Sequence, residues 1–152
     1  MKKYILFLGV LLHTACQSPA VFEQYEELSG ESWNRNHIIE FKAQIPDSGL
    51  YNVILSIRHT TDFETANLWS FISTRTPNGR TVKDTVNLLI AEPDGRWLGK
   101  GGSIKTVEQP LKRNPVVLPG GEVSFSIEQG MRIEEMQGVK NVGIRIEQIT
   151  EE

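Results

Sequence analysis

Cysteine is almost missing from this chain of 152 residues, with a single one at position 16. One cysteine cannot form an intramolecular disulfide or a cysteine-rich zinc site, so both are excluded. Runs of basic residues are missing too, because the 16 lysines and arginines are scattered and the formal net charge is −3. No stretch could neutralise several phosphates at once, and we therefore predict that the chain binds no nucleic acid.

Clusters of chemically reactive side chains are also missing. After the first twenty residues the histidines are His37 and His59, far apart in sequence, whereas metal sites usually cluster such ligands. There is no glycine-flanked serine elbow and no phosphate-binding glycine loop. A glycosidase-type carboxylate pair cannot be singled out among 19 acidic residues. We therefore predict no catalytic residues, no metal site and no cofactor, and a protein that is not an enzyme.

Long hydrophobic runs do not occur. The apolar run Tyr4–Leu12 has nine residues, far fewer than the roughly 20 that span a bilayer as a helix. It follows Met1-Lys2-Lys3 and precedes small and polar residues, an order typical of a secretion signal with its apolar core of roughly 7–15 residues. We therefore predict a signal peptide over residues 1–15, directly before Cys16.

What the chain does have is strand-like segments separated by turn residues, from Val21 onward. Residues in Leu50–Thr60 and Val142–Ile149 alternate between apolar and polar, which is typical of half-buried strands. The strands so predicted are His37–Ile45, Leu50–Thr60, Leu68–Thr76, Thr81–Ala91, Pro115–Leu118, Glu122–Glu128 and Val142–Ile149. With about eight or nine strands, residues 22–152 are predicted to form one all-β domain, an antiparallel two-sheet sandwich of the jelly-roll kind. The alternative fold is a closed barrel. A short helical turn is expected within residues 129–138.

The segment AEPDGRWLGKGG, residues 91–102, is the densest in candidate recognition residues. Tryptophan and arginine dominate interface hot spots, so Asp94, Arg96 and Trp97 form the candidate interaction surface. The alternative is a structured turn, in which Trp97 closes the end of the sandwich and Arg96 pairs with a carboxylate. Trp69 has the apolar neighbours Leu68, Phe71 and Ile72 and is predicted to lie in the core.

The residues around Cys16 point to a lipid anchor. A signal peptide that ends in a small residue, here Ala15, directly before a cysteine resembles the lipobox of bacterial lipoproteins. The resemblance implies that Cys16 is diacylated and becomes the mature N-terminus, with residues 16–21 as lipidated tether; His13 departs from the usual aliphatic residue. The alternatives are an ordinary secreted protein with a buried thiol and, less favoured, a catalytic cysteine. Loss of Lys2 and Lys3 leaves 14 basic and 19 acidic residues, a mature charge of −5, which gives no electrostatic attraction to anionic headgroups.

Three longer segments carry a further resemblance: YNVILSIRHTTDFETANLWSFI, DTVNLLIAEPDGRWLGKG and GMRIEEMQGVKNVGIRIE. In this order they resemble the gliding-motility lipoprotein H (GldH) family of Bacteroidetes. The resemblance implies a non-enzymatic envelope lipoprotein that is required for gliding, is associated with the type IX secretion machinery and has gliding and secretion proteins as partners. It carries over no functional residue other than Cys16. Surface-exposed lipoproteins of these bacteria tend to carry acidic residues right after the cysteine. Because Gln17–Phe22 contains none, we expect attachment to the outer membrane on its periplasmic side. A glycan-binding module is the alternative function.

Overall fold

Strands make up most of the regular structure in residues 20–150, which are the residues described by the computed structural model. The predicted signal peptide, Cys16 and residues 17–19 of the tether lie outside this range. The strands are β1 (Ala20–Glu27), β2 (Ser32–Asn34), β3 (Ile39–Ile45), β4 (Gly49–His59), β5 (Asn67–Arg75), β6 (Thr81–Leu89), β7 (Lys105–Pro110), β8 (Val116–Leu118), β9 (Gly121–Gln129), β10 (Glu135–Gln137) and β11 (Val139–Gln148). A single 3-10 turn, Ser29–Glu31, follows β1, and the described part of the chain has no helix long and apolar enough to cross a membrane.

The strands form two antiparallel sheets that face each other. The first sheet has the order β1-β11-β4-β7, with β8 also pairing with β4, and the second has the order β3-β9-β5-β6. Setting aside the short strands β2, β8 and β10, the remaining eight are arranged in the two-sheet order of a jelly roll. Strands β2 and β10 form a separate two-stranded ribbon. The predicted all-β antiparallel sandwich is therefore confirmed, with eleven strands in the described chain where eight or nine were expected.

The core lies between the sheets and is filled by the inward half of each alternating strand. On β4, Tyr51, Leu55 and Ile57 have no exposed surface, and the matching residues of β11 are equally buried. The second sheet contributes a similar set, and the fully buried residues of its strands are Ile39, Ala43, Leu68, Ile72, Leu88, Val123, Phe125 and Ile127. Burial of this much apolar surface is the main favourable term in folding.

Two sequence predictions need correction. Strand β1 begins at Ala20, so Ala20 and Val21 belong to the sheet and not to the tether. Its register, Glu23 opposite Arg145 and Glu26 opposite Val142, fixes this strand along β11. No helical turn forms in residues 129–138, where a loop leads instead into the short strand β10.

The strands run between two ends of the sandwich, an N-terminal end and a far end. Ala20 lies level with Glu147, which in turn pairs with Asn52 near the start of β4. This N-terminal end also carries the connections 46–48, 76–80, 111–115 and 119–120. The opposite, far end lies beyond His59 and carries the connections 60–66, 90–104 and 130–134. All candidate recognition residues from the sequence lie at or near the far end.

Candidate functional site

A tight hairpin presents Asp94 and Arg96 at the far end. The amide of Gly95 donates to the carbonyl oxygen of Glu92 at 2.9 Å, and Gly95 has a φ of 84° that suits glycine. The Asp94 carboxylate accepts the Arg96 amide at 3.0 Å, which fixes the turn. The Arg96 Nη2 lies 3.7 Å from Oε1 of Glu92, and 69% of the Arg96 side chain is exposed. The tip is therefore ordered by its own hydrogen bonds while both charged side chains face solvent.

Trp97 leaves this hairpin toward the core. It is half-buried and packs on the core cluster, with its ring centroid 5.1 Å from that of His59. The His59 ring also lies against Phe63, with 5.3 Å between centroids. Trp97 thus stands beside Arg96 in sequence but contributes mainly to closing the sandwich, and the three predicted surface residues divide into an exposed pair and a packed indole.

His59 ends β4 and is fully buried beneath Trp97. Its Nδ1 lies 2.9 Å from the Thr60 carbonyl oxygen, and since a carbonyl only accepts, Nδ1 carries the proton. Nε2 is buried and has no hydrogen-bond partner among the described residues. Burial lowers the pKa of His59 below its usual 6.5; the bond to Thr60 opposes this shift and the charge of Lys105 adds to it. His59 is therefore a neutral packing residue at neutral pH.

His37 does not join His59 in a site. It is exposed, and its Nε2 lies 2.8 Å from Oε1 of Glu26. In residues 20–150, no three histidine, cysteine or acidic side chains are close enough to hold a metal ion.

Trp69 lies on the outside of the second sheet, and its predicted core position is wrong. Its side chain is 43% exposed, whereas Leu68 and Ser70 on either side are fully buried. Strand alternation sends Trp69 and Phe71 outward and their neighbours inward. The fully buried tryptophan is instead Trp33, which sequence reasoning did not single out.

A loop packs beside Trp69 and turns this part of the sheet into an apolar depression. The Gly130 amide donates to the Trp69 carbonyl oxygen at 2.7 Å, and the Trp69 amide faces Sδ of Met131 at 3.3 Å. A Cβ on Gly130 would lie 3.1 Å from both the Trp69 oxygen and the Phe71 ring, so a larger residue would push the loop away. The aromatic depression, as we name it, is open to solvent, has a volume of about 540 Å³ and is lined chiefly by Trp69, Phe71, Met131 and Ile133.

The buried side chain of Gln129 holds this loop in place. Its Oε1 accepts the Met131 amide at 2.9 Å, and its Nε2 donates to the carbonyl oxygens of Ile133 and Trp33, each at 3.3 Å. A buried amide with all these partners makes a rigid support. The aromatic depression is thus preformed, which lowers the entropic cost of binding there.

Polar groups border the depression on one side. The Asn67 side-chain amide donates to the Asn87 side-chain oxygen at 2.9 Å. This bond does not involve the Asn67 side-chain oxygen or the Asn87 side-chain NH₂ group. Leu89 pairs with Asn67 and is 57% exposed, so it extends the apolar surface along β6. The sequence carries no clear signal for this surface, because the inward set contains the polar Ser70 while the outward residues Trp69 and Phe71 are apolar.

Comparison with known proteins gives a consistent family. Residues 20–146 match the family described as GldH lipoprotein. The chain is 29% identical to the gliding motility lipoprotein GldH homolog of Christiangramia forsetii, covering 95% of this chain and 93% of the relative. It is 31% identical to the gliding motility lipoprotein GldH of Flavobacterium johnsoniae, covering 95% of this chain and 94% of the relative. A solved structure of Eiger TNF from S. frugiperda is similar over 73% of this chain and 66% of its own at a TM-score of 0.39 and 9% identity, too distant to bear on function. On the match over most of its length, the chain belongs to the GldH lipoprotein family.

Proposed function

We propose that the chain is a lipid-anchored envelope protein that serves gliding motility and the associated type IX secretion machinery without catalysing a reaction. The family match over residues 20–146, together with relatives named as gliding motility lipoproteins, supports this proposal. In this proposal Cys16 carries the lipid, and the domain faces the periplasm from the outer membrane.

The aromatic depression is the surface that we propose for protein contacts. The observation that carries this step is Trp69, a large apolar side chain left 43% exposed on a rigid sheet. Tryptophan is enriched among the residues that dominate binding at protein interfaces, and exposed apolar patches mark interaction sites. Asp94 and Arg96 lie at the same end of the domain, and we propose that they form the polar edge of this interface.

A second candidate function is glycan binding at the same surface. It is favoured by the Asn67–Asn87 amide pair beside Trp69, since an aromatic face can stack on a sugar ring while amides bind its hydroxyl groups. The two candidates depend on different groups, because a protein contact relies on apolar area and a sugar contact also relies on the amides. Asn67→Ala therefore affects the second candidate and leaves the apolar area for the first in place.

Site-specific photocrosslinking in cells tests the proposal. A benzophenone amino acid at position 131 lies within the aromatic depression, and one at position 117 on the opposite end of the domain serves as the control. We expect gliding or secretion envelope proteins to be crosslinked from position 131, and the yield to fall with Cys16→Ala, which removes the anchor. If mass spectrometry identifies no such protein from position 131, the proposed contact surface is wrong.

The glycan alternative and the location need their own measurements. Binding of the wild-type domain to envelope polysaccharide, and its loss in each of the single variants Asn67→Ala and Trp69→Ala, would favour the glycan module over the protein contact. Protease treatment of intact cells tests the periplasmic location, and rapid digestion of the protein would contradict it.

A further inference from the structure

The tether between the proposed lipid and the domain is short, which restricts where the domain can sit. Three residues separate Cys16 from Ala20, so the four Cα–Cα steps between them reach at most about 14 Å when fully extended. Ala20 lies level with Asn52, and Leu50 lies two residues further toward the N-terminal end, a distance of about 7 Å along the strands. If Cys16 is lipidated as proposed above, Leu50 and the connections at its level lie within about 7 Å of the bilayer surface, measured along the strands.

Exposed apolar side chains occur at this level. Val117, 71% exposed, is the cross-strand partner of Leu50, which is 39% exposed, so the two stand side by side on the outer face of the first sheet. Val82 on β6 is 38% exposed. Single exposed apolar residues are ordinary on protein surfaces, but a directly paired set at the end nearest the lipid is suited to insert between headgroups.

Two segments at the same end are basic, although the mature chain has a charge of −5. Residues 75–82 and 109–118 contain Arg75, Arg80, Lys112 and Arg113 and no acidic residue. The acidic groups at this end are Asp84, which pairs with Lys112, and Glu122, which shares a surface groove with Arg75. Two more are Glu147, which pairs with Arg145, and Asp47 in the connection 46–48. Neither Arg80 nor Arg113 forms a salt bridge with a carboxylate in the described part of the chain. These two guanidinium groups are therefore available to bind phosphate.

The cations and the apolar residues lie together and not on separate faces. Arg80, Lys112, Val82 and Val117 all line one cleft of about 170 Å³, whose floor is apolar. A surface that combines apolar side chains with arginine and lysine matches the boundary between acyl chains and anionic headgroups.

We propose that the N-terminal end of the domain docks on the anionic headgroups of the membrane that holds the anchor. Leu50 and Val117 contact the headgroup–acyl boundary, and Arg80, Arg113 and Lys112 contact lipid phosphates. This inference rests on the proposed lipidation of Cys16, and it differs from the expectation, based on net charge alone, that the domain has no attraction to the membrane. The docked orientation directs the aromatic depression away from the bilayer.

Fluorescence of the lipidated, mature protein in vesicles tests the docking. Val117→Cys is labelled with an environment-sensitive fluorophore, and Leu89→Cys, at the far end and also highly exposed, is the matched control. In phosphatidylcholine vesicles that contain phosphatidylglycerol, we expect a blue shift and quenching by spin-labelled lipid at position 117 and neither change at position 89. Equal, water-like emission at both positions would overturn the proposal, as would a shift at position 117 that does not depend on phosphatidylglycerol.

The charge contribution is measured with the mature chain carrying Cys16→Ala, which has no acyl chain, so that its partitioning onto the same vesicles depends on the protein surface alone. Each basic residue near an anionic surface contributes about fivefold in partitioning, so Arg80→Gln with Arg113→Gln is expected to lower vesicle binding roughly 25-fold. The control pair, Arg96→Gln with Arg132→Gln at the far end, is expected to leave binding unchanged, and equal losses in both pairs would refute the assigned surface. Failure of the lipidation itself is recognised separately, by an intact mass of the native protein that lacks diacylglycerol.

Discussion

Replacing Trp69 by alanine is expected to weaken partner binding far more than folding. A tryptophan side chain buries up to about 250 Å², and 43% of Trp69 is exposed, which leaves about 110 Å² for a partner to cover. At about 25 cal/mol per Å² this area contributes about 2.7 kcal/mol to binding, or about 100-fold in Kd. The crosslinking yield from position 131 is therefore expected to fall to near background, and colony spreading with it.

The folded domain should tolerate the same substitution. The hydrogen bonds at Trp69 are made by its backbone amide and carbonyl groups, which alanine retains, so we expect a loss of about 1–2 kcal/mol, in the ordinary range for single substitutions. Trp33 provides the opposite case, because it is fully buried and donates from Nε1 to the His37 carbonyl oxygen at 2.9 Å. Trp33→Ala is expected to cost about 3–5 kcal/mol. Thermal unfolding of both variants separates these two effects.

Two results would contradict this role of Trp69. If Trp69→Ala is folded, is present at the normal level in the membrane fraction and still crosslinks and spreads like the wild type, the aromatic depression is not the contact surface. Loss of crosslinking in proportion to loss of protein would also contradict it, because the substitution would then act through stability alone.

Three further predictions concern the anchor, a buried histidine and a glycine. Cys16→Ala is expected to abolish labelling by a palmitate analogue, and the native N-terminal peptide should begin at Cys16 with the mass of a diacylglycerol; an unmodified Cys16 would contradict the anchor. Burial lowers the pKa of His59 in the folded state, so as the pH falls the histidine is protonated first in the unfolded chain. The free energy of unfolding should therefore decrease as the pH drops below about 6.5. Denaturant unfolding should show a smaller decrease for His59→Asn than for the wild type, and an equal decrease would refute the assignment. Gly138 has a φ of 79°, and a Cβ there would lie 2.4 Å from the Phe63 amide nitrogen, so Gly138→Ala is expected to cost about 2 kcal/mol or more, and an unchanged melting temperature would show that the turn can relax.

The sequence predicts the sheets well wherever one face is polar and the other apolar. Tyr51, Leu55 and Ile57 on β4 alternate with polar or less buried residues, so both the strand and its inward face can be assigned. The short strands β2 and β10 have three residues each, too few for a period to be recognised. Strand β1 carries four glutamates and glutamines among eight residues, and its place at the edge of the sheet comes from pairing with β11.

The candidate site could not be predicted in the same way because it depends on contacts between distant residues. Leu68, Phe71 and Ile72 lie close to Trp69 in the sequence. Because so many apolar residues occur together, the sequence does not show which of them face outward. Trp97 meets His59 from a position 38 residues later in the chain, which no local pattern reports. Gln129 looks like an ordinary polar residue in sequence, although it holds the loop that borders the aromatic depression.

The two ends of the domain together set the distance at which a partner must meet it. Strand β4 runs from Gly49 at the N-terminal end to His59 at the far end, and its ten steps of about 3.3 Å span about 33 Å. If the N-terminal end rests on headgroups, the far end lies about 33 Å above them, and the three residues between Cys16 and Ala20 cannot bring it closer without tilting the domain. A partner that binds at Trp69 must therefore extend this far from the membrane, and a partner confined to the bilayer surface would require the docked orientation to be abandoned.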